Sequence, residues 1–505
     1  MKLLIVLVFF INMFILLYYY MHMLQLSSYF FKKYMHWVKN NYLKIFIEII
    51  VTFFALVLFA KSFYILSLIV FSISIFYNFP KHKAKIELKI TNRVKRMFFT
   101  ELLIILLLAK FYSYTSLLFL NLLTPFMCII ANFINFPIEY TRKVHYIKQA
   151  KKILNDMPNL IVIGVTGSYG KTSVKNFLSK ILETKYEVLT TPKNYNTTMG
   201  IVKTIRTNLK STHQIFICEM GATKPNDIKE ICDIVRPKIG IITSIGPQHL
   251  ESFKTIEAII NTKFELAQSV RKNNGTMFLN FDNNYIARLK IEQSFITYGT
   301  NNLSLNYNAL NIKTSSKGST FEVLDKTQNK KVNFQTHIIG KHNVVNIMGA
   351  IAVSNYLGIS LNDTLLPIKK LTNNEHRLSL ISNNNLNILD DSYNSNPISS
   401  KSAILTLLEF EGTKIIVTPG LIELGKDEKK YNFELGKFAC NVCDYIFLVN
   451  SKQAKAVSKG IFSTDFNKNN VFNVKSPEDA IKRILNLNIK GKVNVLLEND
   501  LPDNY

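Results

Sequence analysis

The chain has 505 residues, a formal net charge of +26 and five cysteines. Its length allows two or three domains. The basic charge does not read as nucleic-acid binding, because its densest part, residues 1–150 with 17 Lys and Arg against 4 Asp and Glu, is also the most apolar. An odd, scattered set of cysteines (Cys128, Cys218, Cys232, Cys440 and Cys443) excludes a disulfide scaffold and suits reduced thiols.

Five apolar segments open the chain, at roughly 3–24, 45–60, 62–79, 98–112 and 114–135. The first and last are long enough to span a bilayer, and the middle ones are near the lower limit. Segment 3–24 lacks a small-residue cleavage site and is followed by more apolar segments, so it reads as an anchor. Basic residues cluster between segments, at Lys32, Lys33, Lys39 and Lys44, and from Lys81 to Arg96. A third cluster, Arg142 to Lys152, follows the last one. The positive-inside rule puts all three clusters on the cytoplasmic side. The expectation is a multi-pass protein of the cell membrane, N-terminus outside, with residues 142–505 cytoplasmic. Glu48 and Glu101 fall near expected span ends, so this region is expected to act as a tether.

After residue 150 apolar strands alternate with helical patterns. Strands are expected at 159–165, 214–220, 239–245 and 276–280, and helices at 172–184, 225–235, 255–271 and 342–357. This pattern predicts a mostly parallel sheet covered by helices. Residues 295–340 alternate polar with apolar and read as a β-rich insertion. A second α/β unit is expected from about 361. Its strands would be 386–390, 414–418, 445–449 and 493–497, its helices near 397–410, 427–442, 452–460 and 477–486. Cys440 and Cys443 form one C-x-x-C with no second pair to complete a zinc site.

The most informative stretch is Gly-Val-Thr-Gly-Ser-Tyr-Gly-Lys-Thr-Ser at 164–173, between an apolar run and a helical pattern. Strand, Gly-rich turn and helix together place backbone N–H groups and a helix N-terminus around phosphate. Lys171 would neutralise phosphate charge and the Thr172 hydroxyl would hold Mg²⁺. Val165 stands where the strict P-loop has its first Gly. Glu219 closes a strand, where a carboxylate either holds Mg²⁺ or forms a salt bridge. By themselves, His249 reads as a structural residue, Lys263 as a solvated helix charge and Asn343 as a helix cap.

Together these motifs resemble the Mur ligases over about 350 residues, most closely the branch that adds D-Ala-D-Ala to UDP-N-acetylmuramoyl-tripeptide. The family's Thr-Gly-x-x-Gly-Lys-Thr loop corresponds to Thr166, Gly167, Ser168, Tyr169, Gly170, Lys171 and Thr172, with Ser173 next. Behind the transmembrane region read from hydropathy (1–150), the resemblance implies a central ATP-binding α/β domain (151–360) and a C-terminal Rossmann-like α/β domain (361–505). It implies ATP and two Mg²⁺ ions as cofactors, with Thr172, Glu219, His249 and a CO₂-carbamylated Lys263 toward the metals. His at such a site would also tolerate Mn²⁺. Asn343 and Asn346 would face adenine, Arg377 the ATP phosphates and Asp391 the ribose. Asn196, Thr197, Thr198, Tyr393, Asn394 and Asn396 would lie along the substrates. The implied reaction is amide formation through an acyl phosphate, with UDP-muramoyl-tripeptide, D-Ala-D-Ala and the lipid bilayer as partners and no nucleic acid. The family's usual N-terminal UDP-binding domain has no counterpart in residues 1–150. Alternatives are a ligase of the same superfamily acting on a lipid-linked or glutamate-type substrate, and a P-loop-powered transporter.

Overall fold

The computed structural model describes residues 1–78, 87–109, 114–192, 195–288, 295–383, 385–393 and 395–499. Lys81, Lys83, Lys85, Lys110 and Asn394, all singled out from the sequence, lie outside them. Two compact units emerge among the described residues, one of residues 1–145, the other of residues 146–499.

The first unit is helical. Its apolar helices are Lys2–Leu26, Tyr42–Ala60, Tyr64–Asn78, Asn92–Ala109 and the start of Tyr114–Asn155, matching the five apolar segments. Three of them, Lys2–Leu26, Tyr42–Ala60 and Ser116–Asn155, are long and apolar enough to cross a membrane. Tyr64–Asn78 is shorter, and Asn92–Ala109 begins with a charged turn. One basic loop holds an unexpected helix, Phe31–Asn40. It buries Tyr34 and Trp37, three residues apart on one face, and exposes Lys32, Lys33 and Lys39. Glu48 and Glu101 are not at an exposed boundary. Both are buried within the unit, and the Tyr20 hydroxyl donates to Glu48 Oε2 at 2.9 Å.

The second unit contains two sheets. The first is built from β1 (Ile161–Thr166), β2 (Val188–Thr190), β3 (Ile215–Glu219), β4 (Ile239–Ile242), β5 (Thr276–Asn280), β6 (Phe295–Thr300), β7 (Tyr307–Ser315), β8 (Gly318–Asp325) and β9 (Lys330–Thr336). Their order is β2-β3-β1-β4-β5-β6-β7-β8-β9, parallel as far as β7 and antiparallel beyond. Residues 295–340 are therefore a continuation of this sheet rather than an insertion beside it. Strand alternation divides the core. Val162, Phe216 and Cys218 face one apolar cluster, while Ile163, Val165, Ile215 and Ile217 face another on the opposite side. Helix Lys171–Leu182 adds Val174, Phe177, Leu178 and Ile181 to the second cluster at helical spacing.

The second sheet uses β10 (Ser379–Asn383), β11 (Leu386–Asp391), β12 (Thr413–Thr418), β13 (Tyr445–Val449), β14 (Val471–Val474) and β15 (Val493–Glu498). It runs β10-β11-β15-β12-β13-β14, parallel except for the edge hairpin β10-β11. The short edge strands β2, β10 and β14 had no clear apolar run in the sequence. The helix expected at 427–442 ends at Ala439, so Cys440 caps it and Cys443 lies beyond. All five cysteines are free.

Candidate functional site

The loop between β1 and helix Lys171–Leu182 sits at the carboxyl edge of the first sheet, where ligands bind in such folds. Two glycines are obligatory there. A Cβ on Gly167 would lie 2.1 Å from Thr243 Oγ1. Gly170 has φ +79°, and its Cβ would lie 2.5 Å from Asn346 Oδ1. Neighbouring strand ends pin the loop. Ser168 N donates to Ser244 O at 2.8 Å, and Ser168 Oγ donates to Gly246 O at 3.0 Å. Tyr169 N donates to Ser244 Oγ at 2.9 Å, and Thr166 Oγ1 to Met220 O at 2.9 Å.

A cavity of about 110 Å³ opens over this loop. Residues 168–173 line it, with Asn196, Glu219, Asn343, Asn346, Arg377, Asp391 and Tyr393 among the sequence-derived candidates. Residues from both sheets thus meet in one cavity, within a single compact unit. Lys171 folds back across the loop, donating to Gly167 O at 2.6 Å. Burial lowers its ammonium to about 8, with Glu219 opposing the shift and Arg377 adding to it. Arg377 stacks over the Tyr393 ring at 4.5 Å. Asp391 accepts Leu378 N–H at 3.1 Å, and burial raises its carboxyl to about 6 despite Arg377.

Glu219 is 2% exposed and heavily engaged. Its Oε1 receives Thr172 Oγ1 at 3.2 Å and Asn196 Nδ2 at 3.0 Å. Lys175, one turn beyond Lys171, places its buried ammonium 3.1 Å from Oε2. Burial would raise the Glu219 carboxyl, but Lys175 and Lys171 more than offset this and hold it below its ordinary value. The salt-bridge reading of Glu219 holds: Oε2 pairs with Lys175, while Oε1 accepts from Thr172 and Asn196. Lys175 was missed, although its i+4 spacing from Lys171 was visible. The hydroxyl and carboxylate make a hard-oxygen pair that fits Mg²⁺. Among the described residues no three His, Cys, Asp or Glu side chains cluster as a metal cage. A divalent ion here would take its remaining ligands from phosphate and water, as Mg²⁺ commonly does.

Lys263 is no solvated charge: it is 2% exposed on helix Ile256–Lys272. Burial, then repulsion from Lys171, lowers its ammonium to about 7, against attraction from Asp227 and Glu265. Glu265 itself accepts the Asn226 and Lys229 N–H groups, both at 2.8 Å, holding the start of helix Asp227–Val235. His249 is in left-handed backbone geometry, φ +52°, and its Nδ1 contacts Glu423 Oε2 from the loop after β12. Glu423 carried no signal in the sequence.

Several candidates do local structural work. Thr197 caps helix Thr198–Asn208. Thr198 Oγ1 donates to Glu230 Oε2 at 2.8 Å. Asn396 caps helix Pro397–Thr406 in a reciprocal box with Ser399. Asn343 does not cap helix Lys341–Tyr356. Its Nδ2 donates to Ile339 O at 3.0 Å, and its Oδ1 receives Asn346 Nδ2 at 3.3 Å.

Residues 165–354 match the family model of the Mur ligase middle domain. This stretch is similar to the Mur ligase middle domain. The chain is 32% identical over 293 residues to a UDP-N-acetylmuramoyl-tripeptide–D-alanyl-D-alanine ligase of Buchnera aphidicola, covering 57% of this chain and 62% of the relative. It is also 32% identical over 282 residues to the ligase of that name from Bacillus subtilis, covering 54% and 59%. The chain thus spans about three fifths of the length of these curated relatives. MurF ligase from Thermotoga maritima, solved in complex with ADP, superposes with a TM-score of 0.63 at 25% identity, over 71% of this chain and 80% of that one. MurF from Acinetobacter baumannii shares the fold, with a TM-score of 0.64 at 23% identity over 71% and 77%. The matched stretch carries the loop, Glu219, His249, Lys263 and the Asn343–Asn346 pair. Arg377, Asp391 and Tyr393 reach the cavity from beyond it.

Proposed function

We propose that this chain is an ATP-dependent ligase that joins D-Ala-D-Ala to UDP-N-acetylmuramoyl-tripeptide in peptidoglycan precursor synthesis. The observation that carries this reading is the convergence of Lys171, Thr172, Glu219, Arg377 and Asp391 on one phosphate-loop cavity. The Mur ligase middle domain and the names of the most similar curated relatives support it. The substrate carboxylate attacks the γ-phosphate to give an acyl phosphate and ADP. The incoming amine then attacks the acyl carbon and expels phosphate. Catalysis is chiefly positioning and charge neutralisation. Lys171 swings from the Gly167 carbonyl to the transferred phosphate, and Arg377 neutralises it from the second-sheet side. Asn343 and Asn346 lie on the adenine side, and Asp391 meets the ribose.

Thr172 and Glu219 would hold one Mg²⁺, and His249 with carbamylated Lys263 a second. These ions would screen the phosphate charge. The lowered ammonium of Lys263 suits carbamylation, because only a neutral amine attacks CO₂. Asn196 and Tyr393, both at the cavity, and Thr197, Thr198, Asn394 and Asn396 are the substrate-side residues of this reading. The protein would sit in the cell membrane through its N-terminal helices, with five spans and the ligase part in the cytoplasm.

A second reading keeps the chemistry and changes the acyl substrate to a lipid-linked one. The membrane-length helices ahead of the Mur ligase middle domain, with Glu48 and Glu101 buried among them, favour it. An ADP-release assay on purified full-length protein separates the two. UDP-muramoyl-tripeptide with D-Ala-D-Ala should turn over, and lipid-linked or glutamate-type alternatives should not. Turnover only with a lipid-linked acyl substrate would replace the first reading by the second.

A further inference from the structure

The contact between His249 and Glu423 joins the two sheets of the second unit at the edge of the active site. His249 follows β4 and is adjacent to Gln248, which lines the cavity. Glu423 lies in the loop after β12, in the second sheet. Both side chains are 19% exposed. Both residues are non-glycine with left-handed backbones, φ +52° and +61°. Such conformations are disfavoured for non-glycine residues and persist where the surroundings over-determine them. Here the surroundings do. Asn432, 1% exposed, receives Leu421 N–H at 2.8 Å and donates to Leu421 O at 2.9 Å. Leu421 and Leu424 are buried in the same cluster as Leu250 and Phe253. Glu251 N donates to Glu423 O at 3.2 Å. The loop is thus pinned on both sides of Glu423, and its carboxylate is held at one ring nitrogen of His249.

We propose that Glu423 is a positioning residue that orients His249 for a divalent cation, and does so only when the second-sheet part is docked on the first. A carboxylate accepting from Nδ1–H fixes the imidazole tautomer and leaves Nε2, unprotonated, to face a metal ion. Because the carboxylate comes from the other sheet, the site is complete only in the docked arrangement. Metal binding and docking then reinforce one another. This rests on the two-ion reading of the site, and adds to it a residue and a coupling which that reading did not contain.

The test is Mn²⁺ titration of purified full-length protein with a non-hydrolysable ATP analogue, free Mn²⁺ being read by electron paramagnetic resonance. Wild type should bind two ions. Glu423→Ala should keep one and bind the other about 10- to 100-fold more weakly. Glu423→Gln, whose amide oxygen still accepts from Nδ1–H, should recover most of that loss. Glu423→Asp tolerates the left-handed backbone and withdraws the carboxylate by one methylene, so it should weaken the same ion even if the alanine variant does not fold. Unchanged affinity for both ions in folded Glu423→Ala or Glu423→Asp overturns the proposal, as does a single Mn²⁺ in wild type. Failure of the acyl-substrate reading is separate: it would appear as no ADP release with D-Ala-D-Ala alongside the expected Mn²⁺ pattern.

Discussion

At the scale of single residues, two lysines carry distinct expectations. Lys171→Ala should lower ADP release by about 100-fold or more, the scale of losing one preorganised charge at a transferred group. Its melting temperature should barely move, because the ammonium is buried at a cost that alanine removes. Full ATP turnover by this variant would end the assignment of the loop. Lys263 makes a pH-dependent case. Its folded value of about 7 lies below the ordinary 10.5, so folding favours the neutral amine. The burial cost of the charge is absent above 10.5, grows as pH falls, and is complete below about 7. Carbamate formation should therefore rise with pH through about 7 at constant dissolved CO₂. Carbon-13 bicarbonate should give a carbamate resonance in wild type that Lys263→Ala lacks. Normal turnover by Lys263→Ala would refute the carbamate role.

At the scale of elements, helix Pro397–Thr406 separates capping from substrate contact. The Asn396 side chain accepts the N–H groups of Ile398 at 3.0 Å and Ser399 at 3.1 Å. Losing such a cap costs about 1 kcal/mol. Asn396→Ala should lose about that much in urea unfolding, whereas Asn396→Asp should keep the stability and lower turnover, having no amide to donate to substrate. If the aspartate variant is as stable and as active as wild type, Asn396 only caps the helix. Helix Lys171–Leu182 shows a similar doubling of roles: one face fills the core through Phe177 and Ile181, while Lys171, Thr172 and Lys175 serve the site.

At the scale of the whole molecule, the expectation concerns the membrane helices. The full chain should sediment with membranes and resist release by salt, since three of its helices are long and apolar enough to cross a bilayer. A chain beginning near Ile138 should be soluble and still join D-Ala-D-Ala to UDP-muramoyl-tripeptide. If it folds and binds ATP yet turns over only with a lipid-linked acyl substrate, or not at all, the membrane helices do more than tether.

The local chemistry was legible in the order of residues. Thr166–Thr172 specifies its turn through glycines whose Cβ atoms have no room, and the apolar strands β1, β3, β4 and β5 announce themselves by run length. Such features depend on neighbours along the chain. The short edge strands were not legible, because they pair on one side only and carry little apolar signal. Nor was the β6–β9 region as a continuation of the first sheet, since strand order is set by packing and not by spacing. At the site, Lys175 became meaningful only when Glu219, 44 residues away, was found beside it, and Glu423 only when the fold brought it to His249, 174 residues back. Burial made the same division. The sequence marked Lys171 and Lys263 as lysines of interest. The fold buries both and brings like charge near them, which lowers their ammonium groups, and for Lys263 this favours the neutral amine that its proposed carbamylation needs.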